Sequence, residues 1–271
     1  MAQQSSTKWN KYLIAGLFMT GLAVLLGILG FFWTPYSTTE MNAAERFAAP
    51  TLRHIFGTDN FGRDIFSRVM QGLGSTIVIS ALVVLISGGV GILLGALTGY
   101  FGGLLDEIVM RITDAVNGFP SILLTLVIIS ILGTGKQNLI ISLAIVFVPS
   151  YVRIVRGEFI RLRDADYIKR ARLMGVSSAR ILFVHILPNI FSVFWVSVMI
   201  GFNNAILAES GMSYLGIGVQ PPDATLGNML SDAQGYLQTA PWCVLAPGIT
   251  IVWVVLGFSL FSEGIRRRNG E

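Results

Sequence analysis

The sequence predicts an all-α, multi-pass membrane protein with six transmembrane helices. Composition is the first reason. Of 271 residues, 53% are hydrophobic and 13% charged, and the mean hydropathy is +0.69. A soluble domain carries about 25% charge and needs a charged exterior. The second reason is patterning. The charges fall in clumps and leave charge-free runs at 12–33, 73–105, 115–135, 137–152, 186–208 and 233–262. The same composition excludes disordered and collagen-like chains. The single cysteine, Cys243, excludes an internal disulfide.

A bilayer core of about 30 Å takes about 20 helical residues. Every run but 137–152 reaches that length, and Lys136 and Arg153 can snorkel from the two ends of that short one. The expected spans are 12–33, 75–100, 112–134, 137–153, 187–209 and 241–262. The two longest runs hold one span each plus an interfacial part, with Gly99, Gly102, Gly103, Gly235 and Gly248 leaving room for ends. The run 12–33 follows Lys8 and Lys11 as a signal peptide would. It exceeds the usual core of about 7–15 residues and no small-x-small site directly follows it, so it reads as an uncleaved first span. The expected organisation is an N-terminal segment with its outer loop at 1–72, a transmembrane domain at 73–263 and a tail at 264–271.

Basic residues set the orientation. With the N-terminus inside, inner segments carry Lys8, Lys11, Arg111, the eight between Arg153 and Arg180, and Arg266, Arg267 and Arg268, which is 14 of 19. Arg46, Arg53, Arg63, Arg68 and Lys136 fall outside. Both termini are therefore expected to be cytoplasmic. The net charge of +4 reflects topology and does not call for nucleic acid as a partner.

Within the spans, Gly91, Gly95 and Gly99 recur every four residues and line one helix face, where another backbone can approach closely. Ionisable groups near the membrane are few: Asp106, Glu107, Arg111, Asp114, Glu209 and Glu263. Each costs about 2.5–3.5 kcal/mol or more at the bilayer centre. Arg111 and Asp114, at i, i+3, can neutralise each other. Glu209 ends the fifth span at the outer face, and with Asn203 and Asn204 it is a candidate for a polar path. An ion-gradient-coupled secondary transporter, the alternative class, would bury more ionisable groups at the midplane.

The inner loop, 153–188, is the most informative segment. Asp164 can cap a short helix running to about Met174. Tyr167, Ile168, Ala171 and Met174 share one face of it, Gly175 suits the left-handed turn that ends it, and Ser177 can cap a second helix leading to Leu187 and Pro188. So short a helix is not stable alone. Its apolar face rests on the chain's own inner surface, on lipid, or on a soluble partner.

Asp166-Tyr-Ile-Lys-Arg-Ala171-Arg-Leu-Met-Gly175, then His185-Ile-Leu187-Pro188-Asn189, resembles the EAA loop of ABC-importer membrane subunits. Ala171, Gly175, Leu187 and Pro188 hold the pattern's spacing, while Lys169, Arg170 and His185 depart from it. Phe56-Gly-Thr-Asp59-Asn-Phe-Gly62-Arg63-Asp64-Ile-Phe-Ser-Arg68, Arg111-Ile-Thr-Asp114 with Phe119-Pro120-Ser121, and Met212-Ser-Tyr-Leu-Gly-Ile-Gly-Val-Gln-Pro-Pro222 extend the resemblance over about 54–268. The chain is similar to the permease subunit of dipeptide, oligopeptide and nickel importers.

That resemblance implies a type I ABC importer transmembrane fold in a bacterial cytoplasmic (inner) membrane. It also implies a homologous sister permease, two ABC ATPase subunits holding ATP and Mg, and an extracytoplasmic solute-binding protein that sets selectivity. Asp166, Tyr167, Ala171, Met174, Gly175, Leu187 and Pro188 would form the ATPase-coupling loop, with no cofactor held by this chain. In the outer segment, Asp59, Gly62, Arg63 and Asp64 serve either a solvated loop whose charges pair with one another, or gating and seating of the binding protein. The outer loop 210–232 can fold partly back towards the membrane.

Catalytic readings fare poorly. Gly133-Thr-Gly-Lys136-Gln137 lacks the first glycine and the Ser/Thr of a P-loop. Ser210, in Ala208-Glu-Ser210-Gly211, has no evident base, because His54 and His185 fall outside the spans. There is no two-histidine-and-carboxylate cluster for a metal.

Overall fold

A computed structural model describes residues 11–268; Lys8 lies outside the described residues. In order, the helices are α1 (Lys11–Phe32), α2 (Ile65–Phe101), α3 (Gly103–Asn117), α4 (Ser121–Leu132), α5 (Lys136–Arg163), α6 (Asp166–Leu173), α7 (Ser178–Arg180), α8 (Leu187–Tyr214), α9 (Leu226–Ala233) and α10 (Trp242–Arg268). A π-helical turn, Ile181–Ile186, joins α7 to α8. Five helices are long and apolar enough to cross a membrane: α1, α2, α5, Ser178–Tyr214 and α10.

The sixth crossing differs from the expected continuous span at 112–134. It is broken into α3 and α4, which meet at 95°. Pro120 is the reason: it cannot sit inside a helix and it drives the residue before it away from helical angles. Helix packing agrees with counting this pair as one broken span. Gly16 of α1 meets Leu260 and Phe261 of α10, Gly257 meets Met19 and Thr20, and Gly264 meets Leu13. The two helices are therefore antiparallel, and the start of α1 lies beside the end of α10, where the Arg267 guanidinium sits 4.3 Å from the Tyr12 ring centroid. Ends on one side demand an even number of crossings. Counted as one span, the bent pair makes six.

Two further boundaries move. The loop expected from 153 begins only after Arg163, because α5 continues through the basic stretch. The fifth span runs on past Glu209 to Tyr214. The grouping also differs from the expected 1–72, 73–263 and 264–271. The chain forms two compact units, Met1–Ile77 with Pro222–Glu271, and Val78–Pro221.

In the first unit the outer segment is a tight knot. Asp59 accepts hydrogen bonds from the backbone of Phe61 and Arg63 and from Arg63 Nε at 2.7 Å. Arg68, 4% exposed, lies 3.7 Å from the same carboxylate. Asp64 does not join that pair. It precedes α2 and accepts from Ser67 N (2.8 Å) and Ser67 Oγ (2.7 Å), capping the helix, and it lies 2.8 Å from His54 Nδ1. Gly62 has φ +75°, and a Cβ there would overlap the carbonyl of Asn42. Trp242 Nε1 donates to Thr58 O at 3.2 Å, fastening the knot to α10. In the loop 210–232, α9 buries Leu226, Met229 and Ala233.

In the second unit, α2 and α5 pack face to face. A Cβ on Gly91 would overlap Tyr151, one on Gly95 would come 2.8 Å from Val155 Cβ, and one on Gly99 would come 2.6 Å from Phe159 Cβ. The partners advance together every four residues, so the helices are parallel and in register. Gly95→Leu should therefore lower the yield and melting temperature of the detergent-purified protein, since something in backbone contact must move. Gly157→Ala, with nothing within 4 Å of the new Cβ, should leave both unchanged or slightly raised. A tolerated Gly95→Leu would disprove this interface.

Candidate coupling site

The segment from Asp164 to Pro188 is a compact elbow between α5 and α8. Asp164 closes α5 as its C-cap and pairs with Arg163 at 3.5 Å. It does not cap α6 as the sequence suggested; Ala165 holds that position without a side-chain bond. At the other end of α6, Val176 N donates to Ala171 O at 3.1 Å and Gly175 N donates to Arg172 O at 3.0 Å. These two bonds form a Schellman motif. Gly175, at φ +78°, supplies its left-handed residue and stands in open space. Ser177 precedes α7 but makes no side-chain capping bond.

The expected apolar face of α6 divides in two. Ile168 is fully buried and Ala171 6% exposed, whereas Tyr167 is 45% and Met174 76% exposed. Tyr167 is one position, about 100°, round from Ile168, and Met174 lies past the last turn, where the chain already bends toward Gly175. Ile168 and Ala171 belong to the same apolar core as Phe159 of α5, Ile181 and Ile186 of the π-turn and Tyr100 of α2. Leu187 packs against that core. Pro188 sits in the first turn of α8, where its missing N–H costs nothing.

Arginines fix the elbow to its neighbours. Arg163 Nη1 donates to Gly99 O at 3.2 Å, and Arg172 stacks on the Tyr100 ring at 5.0 Å. Arg156 Nη2 donates to Asp106 Oδ2 at 2.7 Å as one arm of a fork that ties α5 to α3. The elbow exposes Tyr167, Leu173, Met174 and Val184 and the cations Lys169, Arg170 and Arg180; Phe183, also exposed, borders a groove against α2 with Ile92 and Leu93. Leu173, Phe183 and Val184 were not singled out from the sequence. Nothing in a helical repeat marks Phe183 and Val184, because they stand on the π-turn.

The other polar candidates are placed differently from expectation. Asp114 does not pair with Arg111. It accepts from Arg153 Nη2 of α5 at 2.6 Å, and Arg111 lies 3.7 Å from Glu107 instead. Glu209 is fully buried within α8 and accepts from Ser213 Oγ at 2.8 Å. Asn203 is half-buried. Asn204 faces a cavity that it shares with Tyr151. Among the described residues, no group of three or more His, Cys, Asp or Glu is placed to hold a metal.

Comparison with known proteins fits this architecture. Residues 91–270 match the family described as "Binding-protein-dependent transport system inner membrane component". The dipeptide transport system permease protein of Alkalihalophilus pseudofirmus is 40% identical over 259 residues, covering 96% of this chain and 85% of its own. That of Haemophilus influenzae is 36% identical over 265 residues, covering 96% and 90%. The glutathione transport system permease protein of Pectobacterium atrosepticum is 36% identical over 264 residues, covering 95% and 88%. The chain belongs to the family of binding-protein-dependent inner-membrane transport components, the permease subunits of ABC importers.

Proposed function

We propose that this chain forms half of the membrane path of a peptide importer and is driven through its elbow by a cytoplasmic ATPase. The names of its relatives favour peptides as solute over nickel. The other half is a homologous sister permease. Two ATPase subunits hold ATP and Mg, and an extracytoplasmic binding protein delivers the solute. Both termini and the elbow face the cytoplasm, the arrangement that puts 14 of the 19 basic residues inside.

One observation carries the coupling role: the elbow is anchored on one side and apolar on the other. Its inward side shares a core with α2, α5 and α8. Its outward side exposes large apolar side chains amid cations, a surface suited to an acidic-rimmed apolar cleft. A rigid body so anchored passes a partner's displacement to the spans without chemistry of its own.

Two experiments test this with the assembled complex in proteoliposomes. Gly175→Val forces a branched residue into a left-handed conformation at a cost of about 1–3 kcal/mol. ATP hydrolysis should continue, while peptide uptake falls roughly tenfold or more, as 1.4 kcal/mol is tenfold. Unchanged uptake would count against the elbow. Ile168→Ala removes the anchor of α6, at about 2–5 kcal/mol for a buried aliphatic. It should speed tryptic cleavage after Lys169, Arg170 and Arg172 in the isolated subunit. Met174→Ala should leave that cleavage rate alone yet weaken co-purification with the ATPase; retention at the wild-type level would show that the outward side is not the contact.

A further inference from the structure

The cavity between α5 and α8 has a volume of about 160 Å³ and is partly open. An engineered apolar cavity of about 150 Å³ takes a benzene-sized guest. Ser150 and Tyr151 line it from α5, and Ser197, Gly201 and Asn204 from α8, with three apolar side chains completing the wall. It lies midway along two helices long enough to cross the membrane. Ser150 and Asn204 are exposed there. At that depth lipid offers polar groups no hydrogen bond, so they face an aqueous path or another chain.

Tyr151 supplies the second observation. It is 3% exposed, and its hydroxyl has no hydrogen-bond partner within the chain. The ring is wedged in place: a Cβ on Gly91 would overlap its base and a Cβ on Gly201 would overlap its hydroxyl, while Phe194 stands 6.0 Å away, centroid to centroid. A buried phenol held this firmly and left unpaired is costly unless something else binds it. Ser197 Oγ donates to Val193 O at 2.9 Å and keeps its lone pairs for an incoming donor.

We propose that this cavity is a contact point for the transported solute, where Tyr151, Ser197 and Asn204 exchange hydrogen bonds with a peptide's backbone amide. The proposal rests on the importer reading and deepens it. The lining offers neutral donors and acceptors and no His, Cys, Asp or Glu, which suits an amide and not a bare divalent cation. Contacts of this strength guide a solute without trapping it, as a path must. A structural role, with the polar groups covered permanently by the sister subunit, is the competing outcome.

The test uses the complete complex with its binding protein in proteoliposomes and a dipeptide as probe. Tyr151→Phe keeps the ring and removes the hydroxyl. Uptake should fall about tenfold, the worth of one such hydrogen bond, with complex yield unchanged. Ser197→Ala should lower uptake in the same way and serves if the first variant assembles poorly. In a Cys243→Ser background, Ser197→Cys gives this chain a single thiol, whose alkylation during ATP turnover, read on this subunit, should be slower with dipeptide than without. Full uptake in both hydroxyl-deletion variants, or alkylation indifferent to dipeptide, overturns the proposal and favours permanent cover. Uptake by the wild-type complex that does not need ATP would instead defeat the importer reading alone, because protection of the thiol reports solute in the cavity whatever drives it.

Discussion

The second compact unit depends on the absence of three side chains. Gly91, Gly95 and Gly99 let α5 reach backbone contact with α2, meeting Tyr151, Val155 and Phe159 in matched steps of four. In lipid there is no hydrophobic gain from burying one apolar helix against another, so close packing must supply the attraction. The consequences are spread along α5. At one level the contact seats Tyr151 beside Gly201 of α8. At another it puts Phe159, fully buried, into the core that receives the elbow. At the end it brings Arg163 within reach of the Gly99 carbonyl. One helix thus carries both the cavity wall and the elbow's foundation.

Much of this was legible in the sequence because hydropathy and glycine spacing are local signals. The charge-free runs locate the crossings, and four-residue glycine spacing marks a close-packed face. Gly175 reads as a helix stop because few other residues accept its backbone angles. What could not be read required knowing the partner across space. Arg111 is the nearest cation to Asp114 in the chain, yet Arg153, 39 positions away, takes the carboxylate at 2.6 Å. Asp64 looks like a partner for Arg63 and instead caps α2. The face of α6 was misread for a geometric reason: with a helix of eight residues, a pattern including Met174 runs past its end. Tyr151 carried no mark at all, since a tyrosine within a span is ordinary until its neighbours are known.

Charge placement follows the expense of ions in hydrocarbon. Asp106, Asp114, Arg153 and Arg156 cluster where α3 runs beside α5, each with an opposite charge in contact. Glu209, deeper in α8, is enclosed and accepts a serine hydroxyl. The outer knot does the same with Asp59 between Arg63 and Arg68. Asp232, which lines a small cleft with Arg68 and Asp59, has its pKa raised from the ordinary aspartate value by burial, with Arg68 and Arg63 opposing. These groups hold elements in place, whereas the Tyr151 hydroxyl beside the α5–α8 cavity has hydrogen-bonding capacity to spare.

A single rigid element linking elbow and cavity has a mechanical consequence. Tyr151 and Phe159 are eight residues apart, about 12 Å along a helix, and both are pinned against the same glycine face of α2. A partner that pushed the elbow could not slide α5 along α2 in small steps, because each side chain would have to climb out from over its glycine. Packed surfaces of this kind move as bodies or change register, and they do not deform continuously. Movement is then left to the contacts that lack such interlocking. The apolar groove of about 340 Å³ between α2 and α8, lined by Val84, Gly88, Phe194 and Trp195, is one. The cavity between α5 and α8 is the other. Both border α8, which meets the α2–α5 pair across open space as well as at the Tyr151–Gly201 contact. The elbow leads directly into α8 through Leu187 and Pro188, so under the coupling role proposed above a push on the elbow would reach the cavity wall that carries Ser197 and Asn204, opposite the wall that carries Tyr151.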